Sequence, residues 1–297
     1  MSAVRPRASL IYNPNAGRRR HDRTIEGIKA ALGGAYELST APTGGPKEAI
    51  GLARNAVTRG DAAVFAWGGD GTIREVVEGI LGSPVMLGVL PGGTFNVVAL
   101  AVGVPRTPVE AAAALATAAP SARDVGLIET TPFLMQATAG LDAFIMHHAR
   151  ADMKARFGMA GVVIDAFRVF SRYRFRPFEV EVDREVHLVT GAAFVNMTEY
   201  AGRYQFVPGG RWDDGVGHAL LYKGRTHLQA VRFAISLALG RHHLRPEVTI
   251  RCAAAMTIRP NPGLYLQTDG DPWTGSLPAT CRLSPERIQV LFPRKTA

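Results

Sequence analysis

The sequence has few cysteines and no long unbroken apolar segment. Its 297 residues include only Cys252 and Cys281, too few for a disulfide framework or a zinc site and typical of a reducing compartment. Residues 1–20 hold one short apolar run among arginines, so no secretory signal peptide is visible. The longest uncharged stretch, residues 79–105, is interrupted by prolines and glycines, which favour strand, loop and helix over a membrane span. The expected location is therefore the cytoplasm.

Acidic residues are outnumbered by basic ones. The chain has 25 Asp and Glu against 34 Lys and Arg, a formal net charge of +9. Such a surface attracts polyanions, namely nucleic acid, anionic lipid headgroups or phosphorylated small molecules. No aromatic-rich nucleic-acid motif and no long Lys/Arg block accompanies the charge, so we expect no specific nucleic-acid partner. A basic surface without any specific partner is the alternative.

The first 125 residues alternate strand and helix patterns. Strands are predicted at 8–12, 36–39, 62–68 and 85–90, and helices at 25–32, 46–57, 72–80 and in the alanine-rich run beyond 96. Strands separated by helices of about 10–15 residues predict a parallel sheet covered on both faces, a three-layer α/β/α domain. Ligands of such sheets bind at the carboxyl ends of the strands, where three glycine-bearing turns fall.

The second half contains short strands with alternating apolar and polar residues. They are predicted at 177–183, 185–197, 217–222, 247–252, 255–260, 264–268 and 287–292, with helices at 144–170 and 226–239. This pattern predicts a β-sandwich. We place the domains at 1–122 and 123–284, with 285–297 able to return to the first domain.

One glycine-rich turn, "GGDGT" at 68–72, has the features of an anion site. Thr72 and Glu75 have the spacing of a capping box, which predicts that the next helix begins at Thr72. The first N–H groups of that helix would point at the turn, and the glycines would let phosphate oxygens approach. Asp70 is unfavourable there unless it holds a metal or fixes a backbone amide. The alternative is a tight turn without a ligand.

Five motifs together resemble the diacylglycerol kinase, sphingosine kinase and bacterial lipid kinase family. They are "NPNAG" at 13–17, "GGDGT" at 68–72, "LPGGTFN" at 90–96, "PGGRWDDG" at 208–215 and "TDGDP" at 268–272. "GGDGT" alone is shared with NAD kinases and resembles phosphofructokinases, whereas the ordered set of five is specific. The resemblance covers nearly the whole chain.

The resemblance implies a Rossmann-like N-terminal domain, a C-terminal β-sandwich and an ATP site in the cleft between them. Thr43 is expected to match a nucleotide-contacting threonine, with Thr40 as a competitor. The residues implied to bind the nucleotide are Asn13, Gly17, Thr43, Gly68, Gly69, Asp70, Gly71, Thr72, Ile73, Arg74, Thr94 and Asn96.

The resemblance also implies magnesium. A structural Mg²⁺ would be held by the Arg211 carbonyl, the Asp214 carboxylate and the Val216 carbonyl, unless this loop is only an Asp-Gly turn. A second, magnesium-linked acidic network would join Asp70 and Asp124. Val97 stands where many relatives carry Asp, so this network is expected to be thinner here.

The "TDGDP" loop is implied to carry the chemistry. Phosphoryl transfer to a hydroxyl needs a carboxylate that accepts or orients the proton. The family motif is usually Asp-Gly-Glu, and its two acids correspond to Asp269 and Asp271, the second being one methylene shorter. Which of the two accepts the proton is left open.

The sequence therefore predicts an ATP-dependent lipid kinase. Diacylglycerol, a sphingoid base, ceramide and phosphatidylglycerol all stay open as acceptors. A soluble NAD kinase is the alternative enzyme, but the chain has no Asn-Glu pair of the kind expected there. A non-catalytic basic binding module is disfavoured by Asp269 and Asp271.

A lipid substrate implies contact with a membrane. Residues 144–176 and 226–245 combine apolar stretches with basic residues, which suits an anionic interface, although core packing with a basic rim explains them equally well. The histidine pairs 147–148 and 242–243 are predicted to lie at the surface and not to bind metal. We expect a cytoplasmic, peripherally membrane-associated protein, and a homodimer stays open.

Overall fold

The computed structural model describes residues 4–14, 21–149, 164–200 and 204–294. The chain forms two compact units. The first comprises Met1–Val125 with Ser284–Ala297, and the second lies between Gly126 and Leu283.

The elements of secondary structure alternate in the first unit and are mostly strands in the second. The helices are α1 His21–Leu32, α2 Glu48–Thr58, α3 Asp70–Ile80, α4 Val97–Val102, α5 Pro108–Leu115, α6 Leu141–His148 and α7 His227–Ala238. Residues 164–170 are also helical, and His242–Leu244 form a 3-10 turn. The first ten strands are β1 Arg7–Tyr12, β2 Glu37–Pro42, β3 Ala63–Gly68, β4 Met86–Pro91, β5 Ala119–Arg123, β6 Gly126–Ile128, β7 Thr131–Phe133, β8 Gln136–Ala139, β9 Phe178–Val182 and β10 Glu185–Val189. The remaining strands are β11 Gly191–Val195, β12 Glu199–Tyr200, β13 Tyr204–Gln205, β14 His218–Tyr222, β15 Val248–Cys252, β16 Ala255–Ile258, β17 Leu266–Thr268, β18 Asp271–Trp273, β19 Ala279–Leu283 and β20 Ile288–Phe292.

The first unit is built on a six-stranded sheet in the order β2-β1-β3-β4-β20-β5. Strands β2, β1, β3, β4 and β20 run parallel, and β5 runs antiparallel to β20. Every residue of β3 is buried, as a parallel strand covered on both faces requires. The predicted α/β class is confirmed. The C-terminal strand β20 belongs to this sheet. Its pattern alone grouped it with the sandwich strands, whereas the predicted domain division allowed residues 285–297 to return to the first domain.

Two local predictions in the first unit are wrong. Helix α3 begins at Asp70, with Gly69 as its extended N-cap residue, and not at Thr72. The Glu75 carboxylate accepts from the Lys47 N–H at 2.9 Å, so it is not the partner of a Thr72 cap. The alanine-rich run is also not one helix, because α4 ends at Gly103 (φ 75°) and α5 ends before β5.

The second unit is a β-sandwich, as predicted. Its sheets have the orders β10-β9-β16-β19-β6-β7 and β15-β14-β11-β8-β17-β18. Side chains from both sheets share one core, in which Phe133 and Phe194 contact edge to face with ring centroids 6.3 Å apart. Helix α7 covers the other side of the second sheet, where Leu237 packs with Leu220 and Val195.

The predicted strand 185–197 is two strands in different sheets. Strand β10 pairs with β9, whereas β11 pairs with β8 and β14. Thr190 lies between them, buried, and its hydroxyl donates to the Gly224 carbonyl at 2.6 Å. Of the predicted helix 144–170, the structure describes α6 and residues 164–170, and the rest lies outside the described residues. None of the helices that the structure describes is long and apolar enough to cross a membrane.

Candidate active site

The carboxyl ends of four parallel strands lie side by side in the first unit. Tyr12 is in register with both Pro42 and Trp67, and Gly68 is in register with Pro91. Because these residues end β1, β2, β3 and β4, the turns that follow them meet at one edge of the sheet.

Backbone hydrogen bonds extend this alignment beyond the strands. The Thr43 N–H donates to the Tyr12 carbonyl at 2.8 Å, and the Asn13 N–H donates to the Trp67 carbonyl at 3.1 Å. Thr43 is buried at this edge, whereas Thr40 lies exposed within β2 opposite Leu10. Geometry therefore favours Thr43 over its competitor. Gly17 lies outside the described residues.

The two glycine turns at this edge pack against each other. The Gly92 N–H donates to the Gly68 carbonyl at 2.9 Å. A Cβ built at Gly93 would lie 2.6 Å from the Gly69 Cα, and one at Gly92 would lie 3.1 Å from the Gly68 Cα. These glycines are therefore required by the close approach of one turn to the other.

Asp70 joins the beginnings of two helices. It is the first residue of α3, and its Oδ1 accepts from the Val98 N–H in the first turn of α4 at 3.1 Å. Burial raises the pKa of Asp70, and hydrogen bonds from backbone N–H groups of residues 96–98 act in the opposite direction. Of the two roles that the sequence allowed, fixing a backbone amide is present in this geometry.

Asn96 closes the second glycine turn on itself. It has a left-handed backbone (φ 50°), its Oδ1 accepts from the Gly93 N–H at 2.7 Å, and its Nδ2 donates to the Gly93 carbonyl at 3.0 Å. Thr94 is exposed at the tip of this turn. The side chains of Thr94 and Phe95 are thus open to solvent, whereas Asn96 shapes the turn.

Ile73 cannot contact a nucleotide through its side chain. The side chain is fully buried, and its N–H donates to the Gly69 carbonyl at 3.1 Å as part of α3. Its predicted place among the nucleotide-binding residues therefore concerns the backbone of the turn and stays a prediction. Gly71 and Thr72, by contrast, lie in the first turn of the helix, beside the edge.

The predicted network of Asp70 with Asp124 is contradicted by strand direction. Asp124 follows β5, which is antiparallel to β20 with Arg123 opposite Ile288. Since Gln289 is opposite Met86 at the start of β4, Asp124 lies at the amino edge of the sheet, opposite to Asp70. Asp124 is buried there and forms an ion pair with Arg287, with Nε 2.8 Å from Oδ1.

In the second unit, the "TDGDP" motif forms a tight hairpin. Asp269 and Gly270 connect β17 to β18 with φ 52° and 89°, the positive values of a type I′ turn. The buried Asp269 carboxylate accepts three backbone N–H groups, from Leu134 at 2.7 Å, Met135 at 2.8 Å and Gln136 at 3.1 Å. Asp271 is exposed as the first residue of β18. The two acids therefore have different surroundings, and Asp269 is an anchor.

The "RWDDG" loop is organised by Asp214. Its Oδ2 accepts from the Arg211 N–H at 3.2 Å, and its Oδ1 accepts from the Val216 N–H at 3.0 Å. The Arg211 guanidinium pairs with Asp213. The three predicted ligand residues are thus gathered in one loop. Among the described residues there is no cluster of three or more His, Cys, Asp or Glu side chains suited to a metal.

The surface location predicted for all four paired histidines is wrong for His242. This side chain is fully buried, its Nε2 is 2.9 Å from the Phe206 carbonyl, and burial lowers its pKa. His148 and His243 are exposed, and His147 is half-buried with Nε2 2.7 Å from the Leu266 carbonyl.

Comparison with known proteins covers both halves of the chain. Residues 7–128 match the model of the diacylglycerol kinase catalytic domain, and residues 136–292, more than half of the chain, match that of the YegS C-terminal NAD kinase beta sandwich-like domain. The chain belongs to the diacylglycerol kinase family. The predicted enzyme class, a lipid kinase, is confirmed.

Individual relatives agree with this family over nearly their full length. The diacylglycerol kinase of Bacillus subtilis (strain 168) is 27% identical over 98% of this chain and 98% of its own. The diacylglycerol kinase of Staphylococcus aureus (strain MRSA252) is 28% identical over 98% of this chain and 93% of its own length. A crystal structure of a diacylglycerol kinase from Bacillus anthracis str. Sterne has a TM-score of 0.78 at 22% identity, covering 97% of both chains, which shows the same fold.

This lipid kinase has a cavity beside its "TDGDP" hairpin that the sequence did not reveal. The cavity has a volume of about 460 Å³, and its walls include His147, Leu264, Tyr265, Trp273 and Leu277. Asp271 and Trp273 are two residues apart on β18, so their side chains project to the same face, about 7 Å apart along the strand. The wall of the cavity comes from residues 147, 260–266 and 273–277, and no single sequence motif joins these segments.

The anchoring role of Asp269 can be tested through stability. We expect Asp269→Asn to lower the free energy of unfolding by about 1–3 kcal/mol, because an amide offers one acceptor oxygen to three buried N–H donors. Asn tolerates the left-handed backbone, so the change isolates the carboxylate. Chemical denaturation followed by fluorescence measures the effect.

Asp183→Asn is the matched control for this substitution. Asp183 also has a left-handed backbone (φ 47°), is exposed, and accepts two backbone N–H groups through Oδ1 alone. An Asn there can keep both bonds, so the stability should change by less than about 0.5 kcal/mol. Equal effects of the two substitutions would contradict the anchoring role.

Proposed function

We propose that this lipid kinase transfers the γ-phosphoryl group of ATP to the free hydroxyl of a glycerolipid, diacylglycerol being the acceptor for which its relatives are named. The observation that carries the proposal is the position of Asp271, an exposed carboxylate on an anchored hairpin beside a cavity whose wall includes Leu264, Trp273 and Leu277. The lipid oxygen attacks the γ-phosphorus, the bond to the β,γ-bridging oxygen breaks, ADP leaves, and Asp271 accepts the hydroxyl proton.

The carboxyl edge of the first sheet is the proposed ATP site. The N-terminal turn of α3 presents backbone N–H groups and the positive end of the helix dipole, which suit phosphate oxygens. Thr43, Asn13 and Thr94 lie in the neighbouring turns and supply polar groups. Arg74, within the same helix, adds a positive charge.

Magnesium is proposed for two places in the chain. The Asp214 carboxylate with the carbonyls of Arg211 and Val216 is a set of hard oxygen ligands that suits Mg²⁺, and the loop already gathers these residues. There the ion would fix the loop. The carboxylate of Asp70 is the candidate contact for Mg²⁺ that accompanies ATP and neutralises its phosphate charge.

The proposed activity is tested with labelled ATP and purified protein. Diacylglycerol in uncharged detergent micelles should yield labelled phosphatidic acid, and NAD should yield no labelled NADP. Label on NAD alone would assign the chain to the alternative enzyme, and label on neither acceptor nor on the other candidate lipids would overturn the proposal.

We further propose that α7 docks the enzyme on anionic membranes. Leu228, Val231 and Ile235 lie on one face of this helix at helical spacing and are 59%, 43% and 56% exposed. Helix α7 contains no acidic residue, and Arg225 and Arg241 flank it. An exposed apolar stripe with a basic rim fits a bilayer that carries negative headgroups.

Membrane binding should therefore depend on salt and on the stripe. We expect co-sedimentation with vesicles of phosphatidylglycerol and phosphatidylcholine to fall steeply as salt rises, because exposed charges are screened beyond about 8 Å at physiological ionic strength. Ile235→Asp should remove most of the binding, whereas Val186→Asp, at a 49% exposed residue of β10, should not. Equal binding to neutral and anionic vesicles would contradict the electrostatic contribution.

A further inference from the structure

A second cavity in the sandwich unit is bordered by three arginines. It has a volume of about 200 Å³, and Arg172, Arg174 and Arg176 all contribute to its wall. These residues alternate along the chain with Tyr173, which is buried, and Phe175, whose ring lies 4.9 Å from that of Tyr173. All three arginines are exposed. We name this space the arginine cavity.

The arginine cavity concentrates positive charge without an acidic group. Its other lining residues are Gly140, Phe144, Tyr173 and residues 261–265, none of them acidic. Within the part of the chain that the structure describes, none of the three guanidinium groups forms an ion pair. Three like charges around one opening create a positive potential that attracts an anion, although solvent screens it because the side chains are exposed.

The wall that carries these arginines is fixed by buried contacts. The Tyr173 hydroxyl donates to the Thr190 carbonyl at 3.4 Å, and burial raises the pKa of Tyr173 to about 12, so the hydroxyl stays a neutral donor. Gly140 has φ 109°, and a Cβ there would lie 2.7 Å from the same carbonyl. The tyrosine ring also packs against Phe144 with centroids 5.1 Å apart. A fixed wall loses little entropy when a ligand binds.

The arginine cavity adjoins the larger cavity. The two share Asn261, Pro262, Leu264 and Tyr265 as common wall, and the larger one extends to Leu277 and to Trp273, which lies on the strand that begins with Asp271. A ligand that filled both cavities would place an anionic group among the arginines and an amphipathic portion, with apolar and polar groups, in the larger cavity. Arginine recognises phosphate oxygens through paired N–H donors, which makes a phosphate the fitting anion.

We propose that the arginine cavity binds the phosphate group of an anionic membrane phospholipid whose glycerol portion and the adjoining part of its acyl chains lie toward the larger cavity. The inference rests on the proposed function only in taking the larger cavity as the lipid site of this kinase. It adds a headgroup subsite to that cavity and names the ligand class as an anionic glycerophospholipid.

Binding of a soluble phospholipid tests the subsite without catalysis. Dihexanoyl phosphatidylglycerol, kept below its critical micelle concentration, is titrated calorimetrically into the full-length protein without nucleotide. The triple variant Arg172→Gln/Arg174→Gln/Arg176→Gln should bind it at least about 10-fold more weakly, since charge-assisted hydrogen bonds to the phosphate are lost. The control Arg23→Gln/Arg106→Gln/Arg282→Gln removes the same charge at exposed arginines elsewhere and should stay within about 2-fold of wild type.

Two other results of this titration would overturn the proposal. Equal weakening in both triple variants would show that net charge alone attracts the lipid and would overturn the subsite. Inorganic phosphate that bound as tightly, with the same dependence on the three arginines, would make the ligand a free anion and overturn the lipid assignment.

The kinase assay separates this inference from the proposed function. Arginine-independent lipid binding with full activity on neutral diacylglycerol would overturn the subsite and leave the function standing. Arginine-dependent binding in a protein that phosphorylates no lipid would support the subsite and overturn the proposed function. Asp271→Asn should bind the short phospholipid as wild type does.

Discussion

Asp271→Asn is expected to lower kcat by about 100-fold or more, the usual contribution of a positioned general base. An amide cannot accept the hydroxyl proton, and the hairpin that presents residue 271 is held by the three backbone N–H groups that donate to Asp269. Steady-state kinetics with diacylglycerol micelles and saturating ATP measures the loss. The KM for ATP should stay within about 3-fold, because the proposed phosphate contacts lie in the other unit.

Two further variants make this result interpretable. Asp271→Glu restores the acid that the family usually carries and should retain activity. Asp269→Asn should lower stability more than Asp271→Asn does, and in the molecules that stay folded it should cost less in kcat. If Asp271→Asn turns over like wild type while Asp269→Asn loses all turnover in a folded protein, the assignment of the proton acceptor to Asp271 is wrong.

The two acids illustrate how one short motif can hold two different carboxylates. Asp269 is buried, and both of its oxygens accept backbone N–H groups. Asp271 is exposed beside a cavity large enough for part of a lipid. Neighbouring carboxylates in unlike surroundings commonly divide the tasks of positioning and proton transfer.

Local patterns were sufficient for the elements that make both domains. Strands β1, β3 and β4 were predictable because a parallel strand buried on both faces is a continuous apolar run. Strand β9 was predictable because alternation matches a strand with one buried face. The turns at the carboxyl edge followed from the same reasoning, since parallel strands end together.

Long-range pairing was not predictable from these patterns. The sequence of β20 reads like a sandwich strand, yet β20 pairs with β4 and β5. The direction of β5 places Asp124 at the edge opposite to Asp70, and no local signal contains that direction. Burial of His242 depends likewise on Phe206, 36 positions away in the chain.

At the start of α3, the spacing of a capping box is present, but its glutamate binds a residue outside the helix. The spacing of Thr72 and Glu75 fits a capping box, but Glu75 binds the Lys47 N–H on a neighbouring segment. Starting the helix at Asp70 brings that carboxylate within reach of the Val98 N–H. The acid among the glycines therefore has a structural partner as well as its proposed catalytic one.

Asp70→Asn is the second substitution with a large expected effect, a loss of about 10- to 100-fold in kcat/KM for ATP. The amide oxygen can still accept from the Val98 N–H, so the two helix starts should stay joined and the fold intact. The substitution removes the negative charge beside the proposed phosphate site. Each tenfold loss of kcat/KM corresponds to about 1.4 kcal/mol of lost transition-state stabilisation. Kinetics at saturating magnesium, with circular dichroism to verify folding, gives the result.

Asp61→Asn is the matched control, because Asp61 is a buried acid just before β3, at the amino edge of the sheet. It accepts from the Ser9 hydroxyl at 2.6 Å and pairs with Arg59. This variant should lose stability but keep its activity per folded molecule. Equal losses of activity in the two variants would mean that Asp70 acts only through the fold.

The pH dependence of stability gives an independent check on Asp70. Its folded-state pKa is raised by burial, so the folded protein favours the protonated acid, and this stabilisation is complete below the ordinary Asp value. It is lost as pH rises through the raised pKa of the folded state. The melting temperature of Asp70→Asn, which cannot titrate there, should therefore rise relative to that of wild type across this window. A difference that stays constant with pH would contradict a raised pKa of Asp70 in the folded protein.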